Sequence, residues 1–488
     1  MTGNIEEFFK QLPISELQQT LKDAIWTTRE LGLRFLWIDA LCIIQDSKND
    51  MIKELSRMHE LYANAYVTII AASAKSCDEG FLQRRIQLRD NPGTVNFKAF
   101  SLPYRFQNGT LDEVTLQPFQ SYHPDVHCIN SRAWTLQENL LSPRILVYGS
   151  QLVRECFTSR SPAIGPGPFP APQTSWLGRA PRRPPSPDGR SPSSTFDTVK
   201  HLQELQSYWI WVVNDYSERK LSYINDKLIA ISALARQLSV MVFKDHSYKA
   251  GLWFPNSPNK TSFLHDLCWT TELPLPSRDC LYLAPSWSWA SSHVQTSLGV
   301  RMEHWSHHTA LLETGAPCEI VRCEIIAERE NPFSHILGGS LVLRGILTEA
   351  KVSKIDVSES IFEIYLPGEI ILPSELDRVL SFAKAYPSES VNFNLANADT
   401  TKPTFKYDLR FSANFDMITP ELRHDSTSVS VFCLRVLRYK GLLLMPVPDQ
   451  KYRRVGTFHY KDFVRVSGES RKVEGCFSGI PLTQVTIV

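Results

Sequence analysis

The sequence predicts an α/β domain with a parallel sheet at the N-terminus, followed by a mixed α+β region rich in strands toward the C-terminus. Apolar runs at residues 35–38 and 66–72 flank a helical pattern at residues 51–62. Strand, helix and strand with short joins form a βαβ unit, whose strands are parallel. In the second half, alternating runs such as "GSLVLRGIL" and "KGLLLMPV" predict strands.

Length and composition exclude several classes of protein. A chain of 488 residues is too long for one core, so two or three domains are expected. The formal net charge of +1 gives no general attraction to nucleic acid, and no apolar run approaches a membrane span. The ten cysteines contain no C-x-x-C pair, which predicts no metal centre and a reduced, cytoplasmic protein.

A composition change divides the chain. Residues 161–195 hold ten of its 31 prolines and cannot form a packed core, which predicts a disordered linker rich in proline and arginine over residues 161–197. Such a segment suits a solvated spacer better than a docking site for a protein. We therefore expect an N-terminal domain at 1–160, a helical and tryptophan-rich region at 198–315, and a β-rich region at 316–488.

The first candidate site follows the apolar run at residues 35–38. Asp39, Cys42 and Gln45 come directly after it, and parallel sheets bind ligands beyond the carboxyl ends of their strands. Asp39 either orients a ligand there or caps the loop by accepting backbone hydrogen bonds. Cys42 suits a small core residue better than a nucleophile, and Gln45 is expected to join the loop to the next helix.

The second candidate site lies on a short helix that Pro143 ends. The helix is predicted over residues 131–144, and it carries Arg132, Trp134, Gln137 and Glu138. The spacings place Trp134 on one face with Gln137 and with Glu138. A carboxylate among leucines must be paired or hydrogen-bonded. Glu138 therefore serves a ligand site or forms a structural ion pair with an arginine, and the ion pair is the more common arrangement.

Other signals are weaker. The sequence lacks G-x-G-x-x-G, P-loop, H-E-x-x-H and G-x-S-x-G motifs, so the common nucleotide, metal and serine-hydrolase classes are not indicated. Trp287 and Trp289 lie two apart in "APSWSWAS". Two aromatic rings on one strand face can stack on a base, but they more often fill a core.

Three long motifs resemble the fungal heterokaryon incompatibility (HET) domain family. They are "LGLRFLWIDALCIIQD", "MHELYANAYVTIIAASA" and "SRAWTLQENLLSPRILVYGSQLVREC". Downstream, "YSERKLSYINDKLIAISALA" and "APSWSWAS" resemble the usual second half of such proteins. The resemblance covers most of the chain outside residues 161–195 and assigns residues 1–160 to the HET domain.

The resemblance implies self/non-self recognition after hyphal fusion, with programmed cell death as its outcome and protein partners or self-association. It implies a TIR-like, flavodoxin-like parallel sheet that brings Asp39 and Glu138 to one site. Some TIR domains cleave NAD with a glutamate borne on a helix, and Glu138 matches that residue here. NAD would then be a substrate, and no cofactor is expected. The alternatives are a TIR-like NAD glycohydrolase and a degenerate or non-catalytic interaction module.

The sequence departs from the family pattern at its start. The family domain opens with a strand of the type Tyr-x-x-Leu-Ser-Tyr-x-Trp-Gly, and residues 1–13 contain nothing similar. The parallel sheet is therefore expected to be incomplete, with a gap in its core. A truncated gene model, a degenerate copy or a strand donated by a partner would each account for this. For the same reason we expect no enzymatic activity from the chain as written.

Overall fold

The structure is a computed structural model with two compact units, residues 1–182 and 183–488. It describes residues 5–82, 100–105, 109, 111–116, 128–149, 152–156, 159–162, 169–170, 207–241, 243–271, 275–276, 282–292, 300–302, 318–328, 332–333, 335–353, 362–371, 391–392, 404–415, 417–418, 429–437, 440–459, 463–466, 469–472, 477 and 480–488. Among these residues no helix is both long and apolar enough to cross a membrane.

Five α-helices lie in the described part of the first unit and three in that of the second. They are α1 (Ile5–Lys10), α2 (Gln19–Glu30), α3 (Asp39–Cys42), α4 (Lys48–Asn64), α5 (Trp134–Leu141), α6 (residues 207–217), α7 (Ser232–Met241) and α8 (Thr261–Asp266). Short 3-10 turns cover Ile14–Glu16, Cys128–Ser131, Ile224–Asp226, Ile229–Ile231 and Trp289–Ser291.

The described strands of the first unit form a sheet and a separate hairpin. The strands are β1 (Thr68–Ile70), β2 (Phe100–Arg105), β3 (Leu111–Leu116), β4 (Arg144–Tyr148), β5 (Leu152–Cys156), β6 (Ser159–Pro162) and β7 (Phe169–Pro170). The sheet has the order β1-β4-β5-β6-β7, and β2 pairs only with β3. The strands β1 and β4 are parallel, whereas the other neighbours are antiparallel. Its core is formed by Ile70, Ala72, Ile145, Val147 and Val153.

Several predicted elements are confirmed. The helical pattern at residues 51–62 lies within α4, and the apolar run at residues 66–72 contains β1. Helix α5 ends at Leu141, two residues before Pro143, as expected for a residue that cannot continue a helix. The strands β4 and β5 then pair as the predicted hairpin.

The predicted strand at residues 35–38 is wrong. Residues 33–38 run extended into α3 without pairing to any described strand, and Phe35 is 85% exposed. The expected βαβ unit therefore does not form, since β1 takes β4 as its parallel partner instead. The apolar run indicated burial and an extended backbone, but a strand also needs a neighbour to accept its hydrogen bonds. The result is a mixed sheet instead of the predicted parallel one.

The predicted linker at residues 161–197 lies largely outside the described residues. Its described part includes the last residues of β6 and all of β7, which continue the sheet. The boundary between the two compact units falls between Arg182 and Arg183. The regions predicted at 198–315 and 316–488 belong to one compact unit.

The described strands of the second unit include a large, barrel-like sheet. The strands are β8 (His246–Lys249), β9 (Leu252–Pro255), β10 (Thr270–Thr271), β11 (Leu275–Pro276), β12 (Val300–Arg301), β13 (Glu319–Ala327), β14 (Ile336–Ser353), β15 (Phe362–Ile371), β16 (Val391–Asn392), β17 (Thr404–Phe415), β18 (Met417–Ile418), β19 (Val429–Arg435), β20 (Lys440–Val447), β21 (Lys451–His459), β22 (Phe463–Val466), β23 (Glu469–Lys472) and β24 (Leu482–Ile487). Nine of these form the large sheet, in which β14 pairs with β13, β15, β19 and β24. Additional β17–β21 and β21–β24 pairings join its distant parts. The strand-rich C-terminal region predicted from the sequence is confirmed.

Tryptophans fill the core beside this sheet. Trp287 and Trp289 are both fully buried, so they pack in the core as the sequence favoured, and no base can stack on them. The carbonyl oxygen of Gly251 accepts the ring N–H groups of Trp209 at 3.0 Å and Trp289 at 2.9 Å. Gly251 has φ +95°, and a Cβ there would lie 2.6 Å from Nε1 of Trp289, so both backbone and packing require glycine.

A buried carboxylate fixes α2 to the chain that follows β1. Asp23 is 5% exposed, and its Oδ2 accepts the backbone N–H groups of Phe81 at 2.7 Å and Leu82 at 3.0 Å. Its Oδ1 accepts the amide of Gln19 at 2.7 Å. Gly80 has φ +72°, and a Cβ there would lie 2.5 Å from Asp23 Oδ2. The glycine is needed for this close approach.

We predict that Asp23→Ala loosens α2. The substitution leaves a buried amide without its acceptor, which costs about 1–3 kcal/mol for each group left unsatisfied. Hydrogen exchange of residues 19–30 and 81–82 in the full chain should accelerate. Asp23→Asn is the matched control because it keeps an acceptor oxygen. Its exchange rates should lie between those of Asp23→Ala and those of the native chain. Unchanged exchange in Asp23→Ala would contradict this anchoring role.

A lysine is also buried in the second unit. Lys227 is 3% exposed, and its Nζ donates hydrogen bonds to the carbonyl oxygen and, at 3.1 Å, to the hydroxyl of Ser292. It also lies 5.7 Å from the centre of the Trp289 ring. Burial lowers the pKa of the Lys227 ammonium from 10.5 to about 7. The folded chain therefore binds this proton less tightly than the unfolded chain.

We predict that this lysine makes stability rise with pH. Between pH 7 and 10.5 the unfolded state binds more protons at Lys227 than the folded state, so the free energy of unfolding increases as pH increases, by roughly 3–5 kcal/mol in total. Lys227→Met should remove this rise, as measured by thermal unfolding at pH 7, 8 and 9. Lys220→Met, at an exposed position, is the control and should keep it. Parallel pH profiles for native chain and Lys227→Met would contradict the prediction.

Candidate functional site

The first unit contains a cavity of about 710 Å³. Two runs of consecutive residues line it, residues 33–39 and residues 65–71, which contain β1. Helix α2 contributes Thr20, Leu21, Ala24 and Thr28, and α4 contributes Leu61 and Tyr62. The remaining lining residues are Phe81, Ile129, Asn130, Arg132, Thr135, Glu138 and Asn139. The cavity is thus bounded by helices, by β1 and by the unpaired extended segment.

Three charged side chains gather around Tyr62. The Tyr62 hydroxyl donates a hydrogen bond to the Glu138 carboxylate. Burial raises the pKa of Tyr62 most, the negative charges of Glu138 and Asp39 raise it further, and Arg132 opposes them. The phenol therefore keeps its proton and remains a donor throughout the physiological pH range. We call Asp39, Tyr62, Arg132 and Glu138 the polar cluster.

The loop after the extended segment positions Asp39. Asp39 is the first residue of α3, and its Oδ1 accepts the backbone N–H of Ala40 at 2.7 Å. The Gln45 amide donates to the carbonyl oxygens of Asp39 at 3.1 Å and Ile43 at 3.0 Å. The Ile44 N–H donates to Asp50 Oδ2 at 2.8 Å, which ties the loop to α4. The Asp39 side chain therefore bonds the backbone of its own helix while it also lines the cavity.

Hydrogen bonds at the end of α5 position Glu138. The Ser142 hydroxyl donates to the Glu138 carbonyl oxygen at 2.6 Å. The hydroxyls of Ser142 and Thr68 are also hydrogen-bonded, at 2.7 Å, which joins the end of α5 to β1. At the start of the helix, the Thr135 hydroxyl lies 2.8 Å from the Ile129 carbonyl oxygen and 2.9 Å from that of Arg132. These contacts hold both ends of the short helix.

The structure brings three of the seven predicted site residues together. Asp39, Arg132 and Glu138 line the same cavity, although they come from two separate motifs. The half-buried Glu138 hydrogen-bonds Tyr62, which is a partner that the sequence did not indicate. Arg144, one of the arginines that could pair with Glu138, donates from its Nε to the Tyr66 carbonyl oxygen at 2.8 Å.

The other four predicted residues do not line the cavity, namely Cys42, Gln45, Trp134 and Gln137. The face of α5 toward the cavity carries Thr135, Glu138 and Asn139. At helical spacing Gln137 lies on a different face, where it is buried in the protein. The turn of α3 leaves Cys42 exposed, so it is not the core residue that the sequence favoured. Gln45 bonds only within the loop, to the carbonyl oxygens of Asp39 and Ile43, and the expected connection to the next helix is made by Asp50 instead.

Sequence reasoning missed Tyr62. Its position in the helical pattern of α4 marked it as one more residue of an apolar face. The useful signal was chemical, because a buried tyrosine hydroxyl needs a hydrogen-bond partner. Trp37 packs edge-on against its ring with the centroids 5.9 Å apart, which keeps the ring in place.

The polar cluster combines two carboxylates, a guanidinium and a phenol at a largely apolar cavity. Carboxylates can stabilise a developing positive charge, and a guanidinium can bind an anionic group. No group of three or more His, Cys, Asp or Glu within the described ranges is arranged to hold a metal ion. The cavity can therefore bind a ligand of mixed polarity through hydrogen bonds and fixed charges.

Comparison with known proteins gives one match. Residues 3–138 match the family model described as heterokaryon incompatibility protein (HET). No curated protein matches the chain, and no solved structure matches it. The matched range includes all four residues of the polar cluster and ends at Glu138. Residues 3–138 of this chain are therefore similar to the heterokaryon incompatibility (HET) domain.

Proposed function

We propose that this heterokaryon-incompatibility-type protein acts in self/non-self recognition in the cytoplasm, with programmed cell death as its outcome. The functional site in this proposal is the cavity of the HET domain. The observation that carries the proposal is the convergence of Asp39, Tyr62, Arg132 and Glu138 on that cavity. A cavity with a mostly apolar lining and a few convergent polar groups is the usual form of a ligand site.

The proposal includes a TIR-like origin for the N-terminal sheet. A parallel strand pair, β1 and β4, with α4 preceding β1 and α5 preceding β4 supports it. The hairpin of β4 with β5 and the unpaired residues 33–38 are departures from a doubly wound parallel sheet. In this proposal the domain is an incomplete version of that fold, and a protein partner or a second copy takes part in the recognition.

A second candidate function is cleavage of NAD. Breaking the bond between nicotinamide and ribose develops positive charge on the ribose, and a nearby carboxylate stabilises that charge. Glu138 is favoured for this role because it lines the cavity and accepts a hydrogen bond from Tyr62, which orients its carboxylate. The unpaired residues 33–38 weigh against activity of the chain alone, so we expect no NAD loss from it. A non-catalytic interaction module is the remaining alternative.

We predict that Glu138→Gln abolishes the effect of the full chain in cells. The amide keeps the shape of the side chain but removes its charge, and hydrogen bonds to a charged group are roughly twice as strong as those to a neutral one. The full chain and the variant would be expressed in yeast, with viability and total NAD followed over time. The native chain should lower viability at constant NAD, and Glu138→Gln should not.

Glu30→Gln is the matched control because Glu30 is exposed at the end of α2 and does not line the cavity. It should behave as the native chain does. A fall in NAD with the native chain but not with Glu138→Gln would favour the glycohydrolase. Viability that the native chain leaves unchanged, or that Glu138→Gln lowers equally, would overturn the proposed role of the cavity.

A further inference from the structure

A short pattern in the second unit has no role in the cavity of the first. Ser257 is followed by Pro258, and Lys260 is the third residue after the serine. A serine followed directly by proline, with a cation at the third position after the serine, is the pattern that proline-directed protein kinases modify. Because proline has no N–H, such a kinase can enclose that position without supplying an acceptor. The cation is complementary to an acidic surface on the enzyme.

The full pattern occurs once in the chain. Six serines or threonines directly precede a proline, namely Ser142, Ser161, Ser186, Ser191, Ser257 and Thr419. Ser257 is the only one of the six with a lysine or arginine at the third position after it. A kinase that requires both the proline and the cation would therefore select Ser257 over the others.

The loop between β9 and α8 presents this serine to water. Residues 256–259 are all exposed. The Ser257 hydroxyl donates a hydrogen bond to the Asn259 carbonyl oxygen at 3.1 Å. An exposed bond of this kind costs little to release, because water can replace either partner. The Asn256 N–H donates to the Asp245 carbonyl oxygen at 2.8 Å, which holds the start of the loop in place.

The loop also carries a cation that can offset the charge of a phosphate. The Lys260 ammonium donates a hydrogen bond to the Pro255 carbonyl oxygen and lies 4.3 Å from the centre of the Phe254 ring. The lysine side chain therefore folds back along the start of the loop that contains Ser257. A phosphoserine carries about −1.5 to −2 charges at neutral pH, and a cation on the same loop stabilises them.

We propose that Ser257 is a phosphorylation site for a proline-directed protein kinase that selects a cation at the third position after the serine. The Ser257 oxygen forms a bond to the γ-phosphorus of ATP, and the bond from that phosphorus to the oxygen bridging it to the β-phosphorus breaks. The hydroxyl proton is released and ADP leaves. The site lies in the second unit, so the proposal does not depend on Glu138 or on the cavity.

Phosphorylation of the purified full chain tests this proposal. The chain would be incubated with ATP and a cyclin-dependent kinase, and phosphate at each serine and threonine would be measured by mass spectrometry of its peptides. Phosphate should accumulate on Ser257. A synthetic peptide of residues 252–264 is the control that separates the pattern from its setting in the fold. A full chain that stays unmodified at Ser257, whether or not the peptide is modified, would overturn the proposal.

Two variants distinguish this pattern from incidental modification of an exposed serine. Pro258→Ala introduces an N–H that the kinase leaves unpaired, and Lys260→Gln removes the cation. Each should lower the initial rate of phosphorylation at Ser257 by about tenfold or more, the usual cost of one unpaired group or one lost ionic hydrogen bond. Lys260→Arg is the matched control because it keeps the charge, and it should retain the rate. Equal rates for the native chain, Pro258→Ala and Lys260→Gln would contradict the proposal.

Discussion

The parallel pairing of β1 with β4 determines the geometry of the cavity in the first unit. Thr68 lies opposite Ile145, and Ile70 lies opposite Val147. Helix α4 ends just before β1, and α5 ends just before β4. The position of each strand in the sheet therefore fixes where the helix before it ends. The register of one strand pair thus places Tyr62 near Glu138, and the hydrogen bond between the Thr68 and Ser142 hydroxyls reinforces it at the strand ends.

The opposite wall of the cavity depends on a different interaction. Helix α2, unlike α4 and α5, does not lead into a strand that could position it. Instead, the buried Asp23 connects α2 to the backbone amides of residues 81 and 82. Phe81 lies in the cavity lining and packs on Tyr148 of β4, with ring centroids 4.7 Å apart. One carboxylate therefore connects α2, through Phe81, to the same strand pair that positions the polar cluster.

The sequence predicted the elements whose signals are local. Periodicity identified α4, Pro143 marked the end of α5, and alternating runs marked strands of the C-terminal region such as β20. The error at residues 35–38 arose because pairing depends on a neighbour that is distant in sequence, and an apolar run carries no information about that neighbour. Likewise, Asp39 and Glu138 stood out as polar residues beside apolar runs, whereas Tyr62 fitted its apolar pattern and was overlooked.

The protonated phenol constrains what the polar cluster can do. Since burial and two neighbouring carboxylates hold the pKa of Tyr62 high, its hydroxyl acts as a fixed donor to Glu138. A carboxylate offers about four acceptor positions on its two oxygens, so one bond from Tyr62 orients the group without saturating it. Glu138 therefore brings a negative charge to the cavity beside the Arg132 cation and can still accept hydrogen bonds from a ligand. A neutral glutamine would keep the hydrogen bond from Tyr62 but lose that charge, which is why Glu138→Gln separates a role in chemistry from a role in packing.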